Sequence, residues 1–262
     1  MTAPLAPGAA PAPLALVTAG TRRVGAAIAG ELARAGWRLA LHARRDTILD
    51  PELAAILANT GVQHECFAAD LADDAALNQL WSDVCGWGGV PALVVNNASL
   101  FSDDTAATAT ADAIRQHQAV NCDAPVRLTQ MLWRDTPEGG SASSILLLDQ
   151  RIAHPHGEQF SYTLSKLALA SALPLLARAL APRLRVNAVA PGLTLPTADY
   201  SAAQMQRLAA LMPLKRLPDP VDVASAVAWL AKARAVTNQI IHVDGGAHME
   251  AFDRDFVALE RD

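Results

Sequence analysis

Cysteine is scarce in this chain: Cys66, Cys85 and Cys122 are odd in number and widely spaced. They supply neither a disulfide framework nor a metal-ligand pattern, so reduced thiols in a cytosolic protein are expected. Charge of one sign is also lacking. A net charge of −5 over 262 residues argues against nucleic acid or an anionic membrane as the main partner. No uncharged apolar run reaches the length of a membrane span. Residues 1–13 are rich in Ala and Pro and contain no Lys or Arg. They lack the charged start of a secretory signal and read as a flexible N-terminal tail. What is present is apolar bulk: at 52% hydrophobic and 18% charged residues, the chain can bury a large core.

From Leu14 onward, short apolar runs alternate with helical patterns. Strands are expected at Leu14–Thr18, Arg38–His42, His64–Ala69, Pro91–Val95, Ser144–Leu148, Arg185–Val189 and Gln239–Val243. Helices are expected at Ala26–Ala35, Pro51–Ala58, Asp74–Cys85, in a segment through Asn121 to Trp133, after Tyr162, and at Val221–Ala233. No linker divides them, so the pattern predicts one α/β domain over 14–262, a Rossmann-like, doubly wound parallel sheet. Ligands of such sheets bind beyond the carboxyl ends of the strands. Asp70, Asn96, Asp149 and Pro191 fall at those ends and are expected to share a cleft.

The stretch from Asp149 to Lys166 carries the chemistry. Tyr162 and Lys166 are four apart, hence on one helical face. A phenol beside an ammonium ionises more easily, which would make Tyr162 a proton donor near neutral pH if Asp149 and a redox cofactor converge on it. The bland alternative is a surface Tyr and Lys on an amphipathic helix. His154 and His156 flank Pro155 without further ligand spacing, so no metal is expected. Pro174 is expected to kink the long helix. Residues 194–216, with Met205 and Met212, read as a candidate substrate lid and a mobile apolar flap. The tail from Ala247 onward has no assignable role.

At the cofactor end, the turn Ala19-Gly-Thr-Arg-Arg-Val-Gly25 lacks a full Gly-rich fingerprint, although the helix it opens could present N–H groups to a pyrophosphate, with Arg22 and Arg23 adding charge. Where a carboxylate would bind a ribose 2′-OH, this chain has Ala43 followed by Arg44 and Arg45. Guanidinium forks suit a 2′-phosphate, so NADPH is the expected cofactor. An ordinary solvated basic loop is the alternative, and Asp46 just beyond the arginines counts against the phosphate reading.

Taken together, Thr18…Gly25, Asp70-Leu71, Asn96-Asn97-Ala98, Asn121, Tyr162…Lys166, Pro191-Gly192 and Asp244-Gly245-Gly246 resemble the short-chain dehydrogenase/reductase family from Leu14 to Gly246. The departures resemble one branch of it, the pteridine and dihydromonapterin reductases: Arg23, His42-Ala-Arg-Arg45, Ser99-Leu-Phe101, and Asp149 in place of the usual Ser thirteen residues before the Tyr. The resemblance implies Tyr162 as acid, Lys166 also holding the nicotinamide ribose, and Asn121 supporting a water relay to Lys166. It implies Asp149 as partner of Tyr162 in proton delivery. It implies a cofactor site of Thr18, Gly20, Arg22, Arg23, Val24, Gly25, His42, Arg44, Arg45, Asp70, Leu71, Asn97, Ala98, Ser99, Tyr162, Lys166, Pro191 and Gly192. Arg23, Ser99, Phe101, Asp149 and Tyr162 would hold a pterin, and a homotetramer would be the assembly. Ala19 departs even from this branch, where Gly is usual, and its methyl is expected to alter the turn or loosen cofactor binding.

Reduction of a C=N bond needs a hydride and a proton for nitrogen, and a flat heterocycle needs an aromatic face such as Phe101. A protonated Asp149 would feed Tyr162 as its proton leaves. The alternatives are a loop-capping Asp149 and a plain core Phe101. At the level of function the rivals are a carbonyl reductase (of a ketone or 3-oxoacyl thioester) and a non-catalytic NADPH-binding regulatory protein.

Overall fold

The computed structural model describes residues 12–195, 200–255 and 258. The expected N-terminal tail, up to residue 11, lies outside the described residues, as do residues 196–199 of the expected lid.

Seven parallel strands make one sheet in the order β3-β2-β1-β4-β5-β6-β7: β1 (Leu14–Val17), β2 (Arg38–Ala43), β3 (His64–Ala68), β4 (Leu93–Asn96), β5 (Ala142–Leu147), β6 (Leu184–Pro191) and β7 (Ile240–Val243). The central strands β1 and β4 are largely apolar runs buried throughout because both faces are covered. In β1, Leu14 and Leu16 enter the core on one face, while Ala15 and Val17 enter the core on the other. The same alternation sends Val94 one way and Val95 the other in β4.

One face is covered by α1 (Arg23–Arg34), α2 (Pro51–Thr60) and α8 (Pro220–Lys232). The other is covered by α3 (Asp74–Gly88), α5 (Ala124–Asp135) and α6 (Phe160–Ala179). Two further helices, α4 (Ala111–Gln118) and α7 (Ala202–Leu211), complete the set among the described residues. Side-chain oxygens cap most of the starts: Asp50 on α2, Asp73 on α3, Thr110 on α4, Ser201 on α7 and Asp219 on α8. Helix α1 starts after Arg22 with no side-chain cap and no acidic residue in its first turn. Its amino end is free to meet an anion.

The order reverses at β1, which pairs in parallel with β2 on one side and with β4 on the other. That reversal opens the crevice at the carboxyl ends.

One sequence expectation changes. The segment carrying Asn121 is not one helix: a π-helical turn, Ala119–Asp123, separates α4 from α5. Pro125 has no N–H to return to the Asn121 carbonyl, so the regular ladder cannot continue there. Helix α6 runs through Pro174 to Ala179. It is also the helix, among the described residues, that is long and apolar enough to cross a membrane, yet it packs in the core beside β6 and carries buried Lys166. In the described part of the expected lid, α7 packs its apolar side inward: Leu208 and Met212 are fully buried with Ala247, against Met205, Tyr200 and Phe252.

Candidate active site

Strand β5 runs into Leu148 and Asp149, and Asp149 caps the short 3-10 turn Gln150–Ile152 by accepting from Arg151 N at 2.9 Å. Its other oxygen accepts a hydrogen bond from the Tyr162 hydroxyl at 2.7 Å. Asp149 is therefore both loop cap and partner of the tyrosine. The bond joins the two groups expected to act together in proton delivery. Tyr162 sits in the first turn of α6, whose amino end is satisfied by Asp104: Ser161 N donates to Asp104 Oδ1 at 3.0 Å and Phe160 N to the Asp104 carbonyl.

One turn along α6, Lys166 is buried and donates to the Leu147 carbonyl at 2.7 Å. Its Nζ lies 5.7 Å from the centre of the Tyr162 ring. Burial lowers the Lys166 pKa to about 8, with Asp149 opposing that fall. The Tyr162 phenol is pushed well above its ordinary range, first by burial, then by the charge of Asp149 and the hydrogen bond to it. The expectation that Lys166 makes Tyr162 more acidic is therefore corrected. Desolvation and a carboxylate outweigh an ammonium committed to a backbone carbonyl.

Phe101 meets Tyr162 edge to face, with ring centres 4.9 Å apart. It is 52% exposed, so it is not a core aromatic.

At the other end of the crevice, the turn after β1 takes two left-handed backbone steps at non-glycine residues, Ala19 (φ 49°) and Arg23 (φ 54°). These are the two turn positions at which the family resemblance leads one to expect Gly. The turn is held by its neighbours: Ala19 N donates to His42 Nδ1 at 3.1 Å, and Asn97 Nδ2 donates to the Thr18 and Ala19 carbonyls at 3.0 and 3.3 Å. Thr18 Oγ1 accepts from the backbone of Asn97 and Ala98, both at 2.9 Å. Gly25 cannot be replaced without rebuilding the turn, since a Cβ there would lie 2.0 Å from the Ala19 carbonyl oxygen. Of the basic residues, Arg22 pairs with Asp46 at 2.5 Å and Arg44 with Asp70 at 2.9 Å. Arg45 makes no ion pair among the described residues.

These parts share one cleft of roughly 1210 Å³, which exceeds the usual volume of a single small-ligand pocket. Arg22, Arg23, Val24, Gly25, Arg44, Arg45, Asn97, Ser99, Phe101, Asp149, Tyr162, Lys166, Pro191 and Gly192 line it. Thr18, Gly20, His42, Asp70, Leu71, Ala98 and Asn121 do not. His42 is buried and joins Ala19 N to the Ala69 carbonyl, with its pKa lowered by burial. Leu71 is core, and Gly20 lies where a Cβ would meet the Val17 carbonyl at 2.7 Å. Asn121 spends its side chain on Leu100, donating to O at 2.9 Å and accepting from N at 2.7 Å, and donates to Ser165 Oγ at 3.0 Å. It makes no direct hydrogen bond to Lys166.

Sequence reasoning missed the far wall of the cleft, formed by Arg151, Glu158, Tyr200, Arg254, Asp255 and Ala258. Arg151 donates to Asp255 Oδ2 at 2.7 Å, Asp255 N donates to Glu158 Oε2 at 2.7 Å, and Arg254 binds Glu158 Oε1. The tail dismissed as having no assignable role thus reaches the cleft. Among the described residues, His242, Asp244 and His248 have metal-ligand spacing but do not line the cleft. Asp244 accepts from Gly246 N, His248 N and His248 Nδ1, and the two imidazoles stack at 4.0 Å. The group reads as the brace of the turn after β7.

A parallel sheet with an uncapped helix start after its first strand and a Tyr–Lys pair beyond the strand ends has the layout of a dinucleotide-dependent oxidoreductase. The family model described as Enoyl-(Acyl carrier protein) reductase matches residues 18–248, and the chain belongs to the short-chain dehydrogenase/reductase family, whose members use NAD(P)H. It is similar to the crystal structure of FolM alternative dihydrofolate reductase 1 from Brucella canis complexed with NADP, at 35% identity and a TM-score of 0.84 over 94% of this chain and 98% of that one. It is 33% identical to an uncharacterized oxidoreductase of Mycobacterium tuberculosis (strain CDC 1551 / Oshkosh), over 89% of this chain and 91% of the relative. It is 29% identical to the granaticin polyketide synthase putative ketoacyl reductase 2 of Streptomyces violaceoruber, over 94% of this chain and all of the relative (100%).

Proposed function

We propose that this protein is an NADPH-dependent reductase of a pteridine of the dihydromonapterin, dihydrobiopterin or dihydrofolate type. The observation that carries the reading is the Tyr162–Asp149 hydrogen bond at 2.7 Å beside a half-exposed Phe101. A proton donor backed by a carboxylate suits a ring nitrogen, and an aromatic face suits a flat heterocycle. A carbonyl site normally presents a neutral Ser hydroxyl where this chain has Asp149.

The residues present fit the cofactor. Gly25 leaves room where any Cβ would collide with the Ala19 carbonyl, and the uncapped start of α1 offers N–H groups to a pyrophosphate. Arg23 adds charge there, and Arg45 is the fork for a 2′-phosphate. Bound NADPH supplies the hydride. Tyr162 gives the proton to nitrogen, and Asp149 holds the hydroxyl before transfer and passes the replacement proton afterwards. Lys166, fixed to Leu147, orients the nicotinamide ribose, while Asn121 positions Leu100 and so the Ser99–Phe101 wall.

Exposed Leu164 (42%) and Leu175 (71%) on α6, with Trp229 (55%) on α8, suit burial in a homotetramer. The setting that fits its free thiols is the cytoplasm. The similarity to a ketoacyl reductase keeps one rival, reduction of a 3-oxoacyl thioester.

NADPH oxidation followed by absorbance against dihydromonapterin, dihydrobiopterin, dihydrofolate and an acetoacetyl thioester tests the reading. Turnover of a pterin but not the thioester supports it. Turnover of the thioester alone replaces it with the carbonyl rival, and bound NADPH without any turnover replaces it with a regulatory role.

A further inference from the structure

Arg151 is a charged residue at the centre of the site that the proton chemistry above does not use. Its side chain is only 11% exposed. Its guanidinium carbon lies 5.5 Å from the Phe101 ring centre and 5.7 Å from that of Tyr162. Nε faces Asp149 Oδ1 at 3.9 Å, while Nη2 donates to Asp255 Oδ2 at 2.7 Å. Nε and Nη1 are enclosed and make no hydrogen bond. The guanidinium is held more by charge than by hydrogen bonding, between two carboxylates that arrive from opposite directions. Asp149 comes from the end of β5, two residues away. Asp255 comes from 104 residues further along the chain and is pinned by the Glu158–Arg254 pair.

We infer that Arg151 and Asp255 are positioning residues that set, with opposite signs, how tightly the Tyr162–Asp149 pair holds its proton. When Tyr162 releases a proton the pair gains a negative charge. Arg151 stabilises that charge, and Asp255, bound to the same guanidinium, weakens what Arg151 can offer. The other groups facing the pair are Lys166 from α6 and Ser99 from the loop after β4. Behind Arg151 stand His156 and Glu158 from the loop before α6, Tyr200 before α7, and Arg254 beside Asp255. His156 is kept neutral chiefly by its burial, so near neutral pH it does not substitute for the arginine. The proposal rests on Tyr162 being the proton donor and is indifferent to whether the substrate is a pterin.

The sign difference is the test. Arg151→Met should move the alkaline limb of the kcat/KM profile up by about one pH unit, the size expected of one neighbouring charge, with kcat falling about tenfold. Asp255→Asn should move the limb down, by less. Arg151→Lys, which keeps the charge, should leave the limb near its wild-type position. The assay uses whichever substrate of the panel is reduced, so failure of the pterin reading does not disable it. A readout free of activity is available because Tyr162 and Tyr200 are the only two tyrosines. In a Tyr200→Phe background, ultraviolet tyrosinate absorbance reports Tyr162 alone, with onset later for Arg151→Met and earlier for Asp255→Asn. Shifts in the same direction overturn the proposal. So does an unmoved limb and tyrosinate onset accompanied by a lower Tm, which would make the pair merely structural.

Discussion

The two halves of the cleft are built on different principles. The wall around the first turn has a core of strand ends tied by buried, mostly neutral hydrogen bonds, such as Thr18 to Asn97 and Ala98, and His42 to Ala19, with the ion pairs Arg22–Asp46 and Arg44–Asp70 exposed at its rim. The wall around Phe101 and Tyr162 consists of loops stitched by charge: Asp104 to the start of α6, Arg254 to Glu158, Arg151 to Asp255. Neutral buried bonds fix one geometry and respond little to salt or pH. Charged stitches between loops respond to both. The cofactor side should behave as a rigid template and the substrate side as the tunable part.

The largest effect falls on the substrate side without touching the other. Tyr162→Phe is expected to lower kcat by a factor of about 10²–10⁴ while the NADPH Kd, from fluorescence titration, stays unchanged. Loss of NADPH binding in that variant would mean the halves are coupled. Next, Arg45→Glu should weaken NADPH by roughly ten- to a hundredfold, the worth of a charge-assisted hydrogen bond. NADH should be nearly unaffected; equal loss for both would remove Arg45 from any 2′-phosphate role. Smaller still, Ala19→Gly relieves a left-handed alanine and should raise stability by about 1 kcal/mol in urea unfolding. A loss of stability would show that the methyl is wanted in the turn. The smallest concerns His42. Burial holds its folded pKa below the unfolded value of 6.5, so the unfolded chain takes up the proton first as pH falls. Stability present above pH about 6.5 should decline toward pH 5, and His42→Gln should flatten the decline in Tm. An identical slope would place the acid sensitivity elsewhere.

The same contrast decides what could be read in the sequence. Strand β1 was legible because four consecutive apolar residues feed both faces of a covered sheet. The strand ends then had to converge, which brought Asp149 and Pro191 to one crevice, whereas Asp70 and the buried Asn96, expected with them, do not line it. The π-helical turn was missed although its signal, Pro125, stands in the sequence. The acidity of Tyr162 was misjudged because spacing places Lys166 on the same helical face but does not say that its ammonium binds Leu147. The left-handed backbone at Ala19 and Arg23 has no local signature, since neither residue type favours it. Arg151 and Asp255 were not legible at all. No motif or periodicity links positions 104 apart, and only the folded loops bring them together.

The central claim is that the carboxylate at 149 adapts the Tyr162 donor to a pteridine. It is tested most directly by the ratio of kcat/KM for dihydromonapterin to that for an acetoacetyl thioester, in the wild type and in Asp149→Ser. A ratio favouring the pterin in the wild type and falling at least about tenfold in the variant is the predicted result. A ratio unchanged by the substitution would contradict it, and would leave Asp149 as no more than the cap of the turn it begins.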